Sequence, residues 1–111
     1  MTGEQIGSKF FQTLNSLTAE PLVDLISETS VMRVAGHVKV GRPEIVEYFR
    51  TWLAPIENLQ VHIVQSATNE NSIWYETNVM PYGSNDYDCL WILNFHFDNK
   101  IKFIRIFADK T

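Results

Sequence analysis

The segment that most constrains this 111-residue chain is its last fifth, Tyr87 to Asp109, where two runs rich in β-branched and aromatic residues flank an Asp98-Asn99 turn. That pattern predicts an antiparallel hairpin. Such a pair normally keeps one face polar and wet. Here both faces carry large apolar side chains, so one must cover a core and the other must meet a further layer or a second subunit.

The period of two begins earlier, at Leu59, and predicts four strands over about 59–67, 72–82, 87–97 and 100–109. Ahead of them, Phe10, Phe11, Leu14 and Leu17 recur at helical spacing over about 8–17. Thr18, Glu20 and Pro21 read as the N-cap and first turn of a second helix ending near Ser27. Ser30 to Ala35 reads as a brief strand and Gly36 to Gly41 as a loop. Arg42-Pro43-Glu44 then opens the longest helix, with Ile45, Tyr48, Phe49, Trp52 and Leu53 on one stripe and Pro55 near its end. The expected architecture is α+β: a curved antiparallel four-stranded sheet, with a short N-terminal strand, packed on about three helices in a single domain over residues 1–111.

Composition narrows the classes of function. A chain that is 45% hydrophobic and 20% charged is globular, and no apolar run reaches the length of a membrane span. The net charge of −4 and nine scattered Lys and Arg offer no footprint for nucleic acid or an anionic membrane. The start, Met1 to Gln5, has neither the basic nor the apolar region of an export leader, so a cytoplasmic location is expected. Cys89 is the only cysteine, which excludes an internal disulfide and a Cys-based zinc site; its strand context suits a small buried hydrophobe. His37, His62 and His96 lack the spacing of a metal helix, and no metal or cofactor is expected.

Turn lengths suggest a register. A two-residue turn at Asp98-Asn99 pairs 97 with 100, and even-length loops at Ser84-Asn85 and Asn69-Glu70 carry the same parity across the sheet. One face then holds Leu59, Val61, Ile63, Gln65, Trp74, Glu76, Asn78, Met80, Cys89, Trp91, Leu93, Phe95, Ile104, Ile106 and Ala108, and its density of large apolar groups assigns it to the interior. The other holds His62, Tyr75, Thr77, Val79, Leu90, Ile92, Asn94, His96, Phe103, Arg105 and Phe107. A slip of one residue would turn Glu76 outward and Tyr75 and Thr77 inward.

In element order, and in Val40-Gly41-Arg42-Pro43-Glu44-Ile45-Val46-Glu47-Tyr48-Phe49 and the hairpin from Phe97 through Lys100-Ile101 to Asp109, the chain resembles the nuclear transport factor 2-like superfamily, which includes ketosteroid isomerases and SnoaL-like polyketide cyclases. The resemblance covers nearly the whole chain and implies a cone-shaped, cystatin-like α+β barrel with a pocket between sheet and helices. It also implies where acids would sit. The isomerases' pocket Tyr and two Asp fall on Phe10, on Val34 or Met32, and on Leu93; the cyclases' Asp and His fall on Ile106 and Leu93. None of these can move a proton. Asp109 lies three residues beyond Ile106, on the opposite face.

The leading expectation is thus a homodimer that binds a small apolar molecule in a pocket lined by Phe10, Met32, Val34, Tyr48, Trp52, Ile63, Trp74, Asn78, Met80, Trp91, Leu93, Phe95, Ile104 and Ile106. Its subunits would meet through Tyr75, Val79, Leu90, Ile92, Phe103, Arg105 and Phe107. An isomerase, cyclase or dehydratase with Glu76 as general acid or base is the alternative, since burial in the pocket would raise the pKa of that carboxyl. A third is a non-catalytic interaction protein whose collapsed pocket is simply core.

Overall fold

A computed structural model describes residues 2–81, 86–96 and 98–109, the last without its side chain. Tyr82 at the end of the second predicted meander strand, the Ser84-Asn85 turn and Phe97 lie outside these residues. Helix α1 spans Gly3–Asn15, a 3-10 turn Glu20–Asp24, β1 Ile26–Val34, β2 His37–Val40, α2 Arg42–Leu53, β3 Leu59–Thr68, β4 Ser72–Pro81, β5 Tyr87–Phe95 and β6 Ile101–Asp109. The strands form one curved, open sheet in the order β2-β1-β6-β5-β4-β3, with the helices packed on one face. Only β1 and β6 run parallel.

Both helices form for local reasons. Thr2 and Gln5 close a capping box, each side chain meeting the other's backbone N–H, so α1 begins earlier than the expected residue 8. Its buried stripe is Ile6, Gly7, Phe10, Phe11 and Leu14. Leu17 falls beyond the helix with φ +61°. Helix α2 starts after Gly41, whose φ of +89° suits glycine, and Pro43 occupies its first turn. Arg50 near its C-terminal end holds Glu20 through Nε at 2.9 Å and Nη2 at 2.7 Å and also bonds Glu47, tying the 3-10 turn to the helix. All three side chains are well exposed, so the network adds little stability.

Two segments differ from the sequence reading. The expected second helix is a single 3-10 turn, because β1 already begins at Ile26 and is nine residues long. The Gly36 to Gly41 loop is instead the return strand of a hairpin, with Ala35 (φ +49°) and Gly36 (φ +80°) forming the turn and β2 pairing along β1 from Val34↔His37 to Val31↔Val40. The fold class is α+β as expected, with two α-helices and six strands among the described residues.

The register separates what parity predicted correctly from what it did not. Between β5 and β6 the pairs Trp91↔Ile106 and Leu93↔Ile104 match the expected parity, although the turn is longer: the His96 N–H bonds Lys100 O, and a one-residue irregularity beside Phe95 restores the alternation. Between β4 and β5 the pairs are Ile73↔Leu93, Tyr75↔Trp91, Thr77↔Cys89 and Val79↔Tyr87. The inward residues of β4 are therefore Ile73, Tyr75, Thr77 and Val79, while Trp74, Glu76, Asn78 and Met80 face the outer side. In β3, a bulge at Val64 puts Gln65 beside Glu76 on that outer side, leaving Leu59, Val61 and Ile63 on the inner one.

Candidate functional site

The interior of the sheet is closed by an aromatic cluster built from four elements. Phe10 and Phe11 of α1 meet Phe49 of α2 and Trp91 of β5, with ring centroids 5.7 Å (Phe10–Phe49), 5.8 Å (Phe10–Trp91) and 5.3 Å (Phe11–Trp91) apart, all edge-to-face. Tyr75 of β4 adds a fifth ring, 4.8 Å from Phe11. The Trp91 indole N–H donates to Thr77 Oγ1 at 2.8 Å, and that hydroxyl donates to Cys89 O at 3.0 Å, so the indole and the threonine hydroxyl are both satisfied. Edge-to-face rings at these distances attract beyond their buried area. The deep part of the cone is thus occupied by the protein's own side chains.

Beside the plug, at the mouth of the sheet where β1 and β6 finish and β5 begins, a cavity of about 120 Å³ remains. Helix α2 contributes Tyr48, Phe49 and Trp52, strand β5 contributes Tyr87, Cys89 and Trp91, and Val34, Ala35, Ile106 and Ala108 complete the wall. None of these ten side chains is a carboxylate, imidazole, ammonium or guanidinium. The titratable ones are two phenols and a thiol, and burial pushes Tyr87 and Cys89 each up to about 12 and raises Tyr48 as well. All three are neutral at pH 7, and Cys89 is a thiol rather than the thiolate a nucleophile requires.

Of the fourteen residues expected to line the pocket, Val34, Tyr48, Trp52, Trp91 and Ile106 border this cavity. Phe10, Met32, Leu93 and Ile104 are fully buried in the packing beneath it. Ile63 lies on the inner face of β3 but is exposed, and Phe95 packs beside Gly3 near the other end of α1. Trp74, Asn78 and Met80 lie on the outer face. So does Glu76, whose carboxylate accepts from the Gln65 amide on the neighbouring strand and touches nothing in the cavity. The physical reason is Thr77: it is the β4 residue that satisfies the Trp91 indole, whereas Glu76 in its place would bury a carboxylate among rings. Sequence reasoning missed Tyr87, although it shares the parity of Cys89 and Trp91.

The outer face forms a second surface of interest. Trp74 is 48% and Phe107 56% exposed, and Leu90, Ile92 and Phe103 lie between and beside them. Tyr75 and Val79, expected here, are instead buried on the inner side. Arg33 and Arg105 sit side by side on β1 and β6, with Arg105 also 4.9 Å above the Phe103 ring. Glu76 and Asp88 occupy β4 and β5 on the other flank, and Asp88 accepts from the Asn78 amide. A depression of 470 Å³ lies between Trp74, Glu76, Leu90 and Phe107.

No family model and no curated protein matches the sequence. Solved structures do match. A protein of unknown function from Cytophaga hutchinsonii, described as NTF2-like, superposes with a TM-score of 0.78 at 10% identity, over 98% of this chain and 91% of that one. The chain has the nuclear transport factor 2-like fold. An uncharacterised cystatin-fold protein from Novosphingobium aromaticivorans superposes with a TM-score of 0.84 at 12% identity, over 96% of this chain and 98% of that one. A steroid delta-isomerase from Pseudomonas aeruginosa does so with a TM-score of 0.79 at 15% identity, over 98% of this chain and 80% of that one. Likeness at such identities carries the fold and leaves function to the site. Within this nuclear transport factor 2-like cone, Phe10, Met32 and Leu93 are core, and only Val34 and Ile106 of the positions singled out by resemblance reach the cavity. Among the described residues no helix is long and apolar enough to cross a membrane.

Proposed function

We propose that this chain is a cytoplasmic homodimer that binds a small, mostly apolar molecule in a pocket whose described residues supply no carboxylate for proton transfer. The observation that carries the reading is the mouth cavity: ten described lining side chains, five of them aromatic on α2 and β5, and no group charged at neutral pH among them. Its volume suits a ligand of about the size of benzene, since an apolar cavity of about 150 Å³ accommodates that molecule. Proton-transfer catalysis by Glu76 is not supported, because its carboxylate lies on the other side of the sheet. Toluene or cyclohexane is expected to raise the melting temperature in a concentration-dependent way. The same ligands should perturb tryptophan emission through Trp52 and Trp91. A flat response in both measurements would overturn ligand binding and leave the chain as an interaction protein.

The dimer rests on a separate observation, the pairing of an apolar stripe with opposite charges on its two flanks. A two-fold axis lying between two facing sheets and running parallel to the strands between β5 and β6 would lay β4 of one copy over β1 of the other and β5 over β6, setting Glu76 toward Arg33 with Leu90 against Phe107. Phe107→Asp is expected to give a monomer in sedimentation, with an unchanged fold because that side chain is exposed in the single chain. A wild-type protein that sediments as a monomer at micromolar concentration would exclude the arrangement.

A further inference from the structure

The polar atoms at the mouth cavity restrict what it can hold. Tyr48 enters from the middle of α2 and Tyr87 from the first residue of β5, and both rings line the cavity. Burial raises both phenols above their ordinary range, and the Cys89 thiol lines the same cavity. Among the described residues neither hydroxyl has a hydrogen-bond partner, yet no buried side-chain oxygen or nitrogen is left unsatisfied. Each hydroxyl therefore reaches accessible space. The Trp91 N–H is already committed to Thr77, while the Trp52 N–H, without a partner among the described residues, is a further donor in the same wall. A phenol is both donor and acceptor, but it is as a donor that it matches an oxygen lacking its own hydrogen.

We infer that the occupant of the mouth cavity is a small neutral carbonyl compound whose apolar body packs on Trp52, Trp91 and Ile106 and whose oxygen accepts a hydrogen bond from Tyr48 or Tyr87. This rests on the ligand-binding reading above and adds the chemical class. A charged acceptor is disfavoured, because among the described residues no lining side chain is cationic and an anion desolvated against them would find no counter-charge. A hydrocarbon of the same shape would fill the volume and leave the hydroxyls unused. A carbonyl uses both features.

Cyclohexanone and methylenecyclohexane, which differ only in replacing the carbonyl oxygen by a methylene group, separate the possibilities. The wild-type protein is expected to bind cyclohexanone about five- to tenfold more tightly, the worth of one net hydrogen bond. The carbonyl stretch of bound cyclohexanone should shift to lower frequency. Tyr48→Phe or Tyr87→Phe should remove the preference and the shift while leaving methylenecyclohexane affinity unchanged, and circular dichroism should show both variants folded. Equal affinity for the two probes in the wild type would overturn the carbonyl inference and leave the apolar pocket standing, as would a preference that survives in both variants. Failure of either probe to bind would overturn the pocket together with the inference.

Discussion

Trp91→Ala is expected to destabilise the protein by about 3–5 kcal/mol, the range found for deleting a large buried aromatic side chain. Trp91 is nearly fully buried, contacts Phe10 and Phe11 ring to ring, and donates its indole N–H to Thr77. The variant loses the transfer energy of the ring, those contacts and that hydrogen bond, and it keeps a void because α1 and β5 are held by other packing. The void would open directly into the mouth cavity, which Trp91 also borders. Added indole should therefore restore a large part of the lost stability in proportion to its concentration, and do nothing comparable for the wild type. Chemical denaturation with and without indole measures both effects. A loss below about 1 kcal/mol, or no rescue, would mean that the cone collapses around the deletion and that Trp91 is not what fills it.

Gly7→Ala is expected to cost about 2 kcal/mol, against the gain of up to about 1 kcal/mol that alanine normally brings to a helix interior. A Cβ at this position would lie 1.9 Å from the Tyr75 hydroxyl oxygen and 2.8 Å from the ring carbon that carries it. Tyr75 has little freedom to withdraw, being buried, stacked edge-to-face on Phe11 and paired with Trp91 across the strands. In a Tyr75→Phe background the closest clash disappears and the ring contact remains, so the cost of Gly7→Ala should fall by about half. Thermal melts of the four proteins of this cycle give the coupling directly. An alanine variant as stable as the wild type would show that α1 can lift from the sheet without penalty.

The fold was legible in the sequence where several signals agreed, and the site was not. Helix α2 and the β5–β6 pair could be placed because Pro43, the Tyr48-Phe49-Trp52 stripe and the run Cys89, Trp91, Leu93 each point the same way. Strand β4 was misplaced by reasoning from loop length alone. Its own alternation carried a counter-signal, since Ile73, Tyr75, Thr77 and Val79 are the less polar set and Glu76 with Asn78 the more polar one. The β1–β2 hairpin was hidden because its turn uses an alanine at positive φ, a residue with no preference for that conformation. Tyr87 was hidden because a strand's first residue carries little periodic information. The size of the residual cavity depends on how five rings settle against each other, and no spacing rule encodes that.

One local irregularity bears on how the chain behaves at high concentration. The two edges of the sheet are β2 and β3, and each exposes backbone groups on which another strand could grow. The β2 edge is four residues long, too short a template for sustained pairing. The β3 edge is ten residues long and rich in β-branched residues, but the extra residue at Val64 interrupts its alternation near the middle. A strand approaching from solvent would keep register over only about half its length. Without that insertion the edge would be a straight seed for fibrous, edge-to-edge growth.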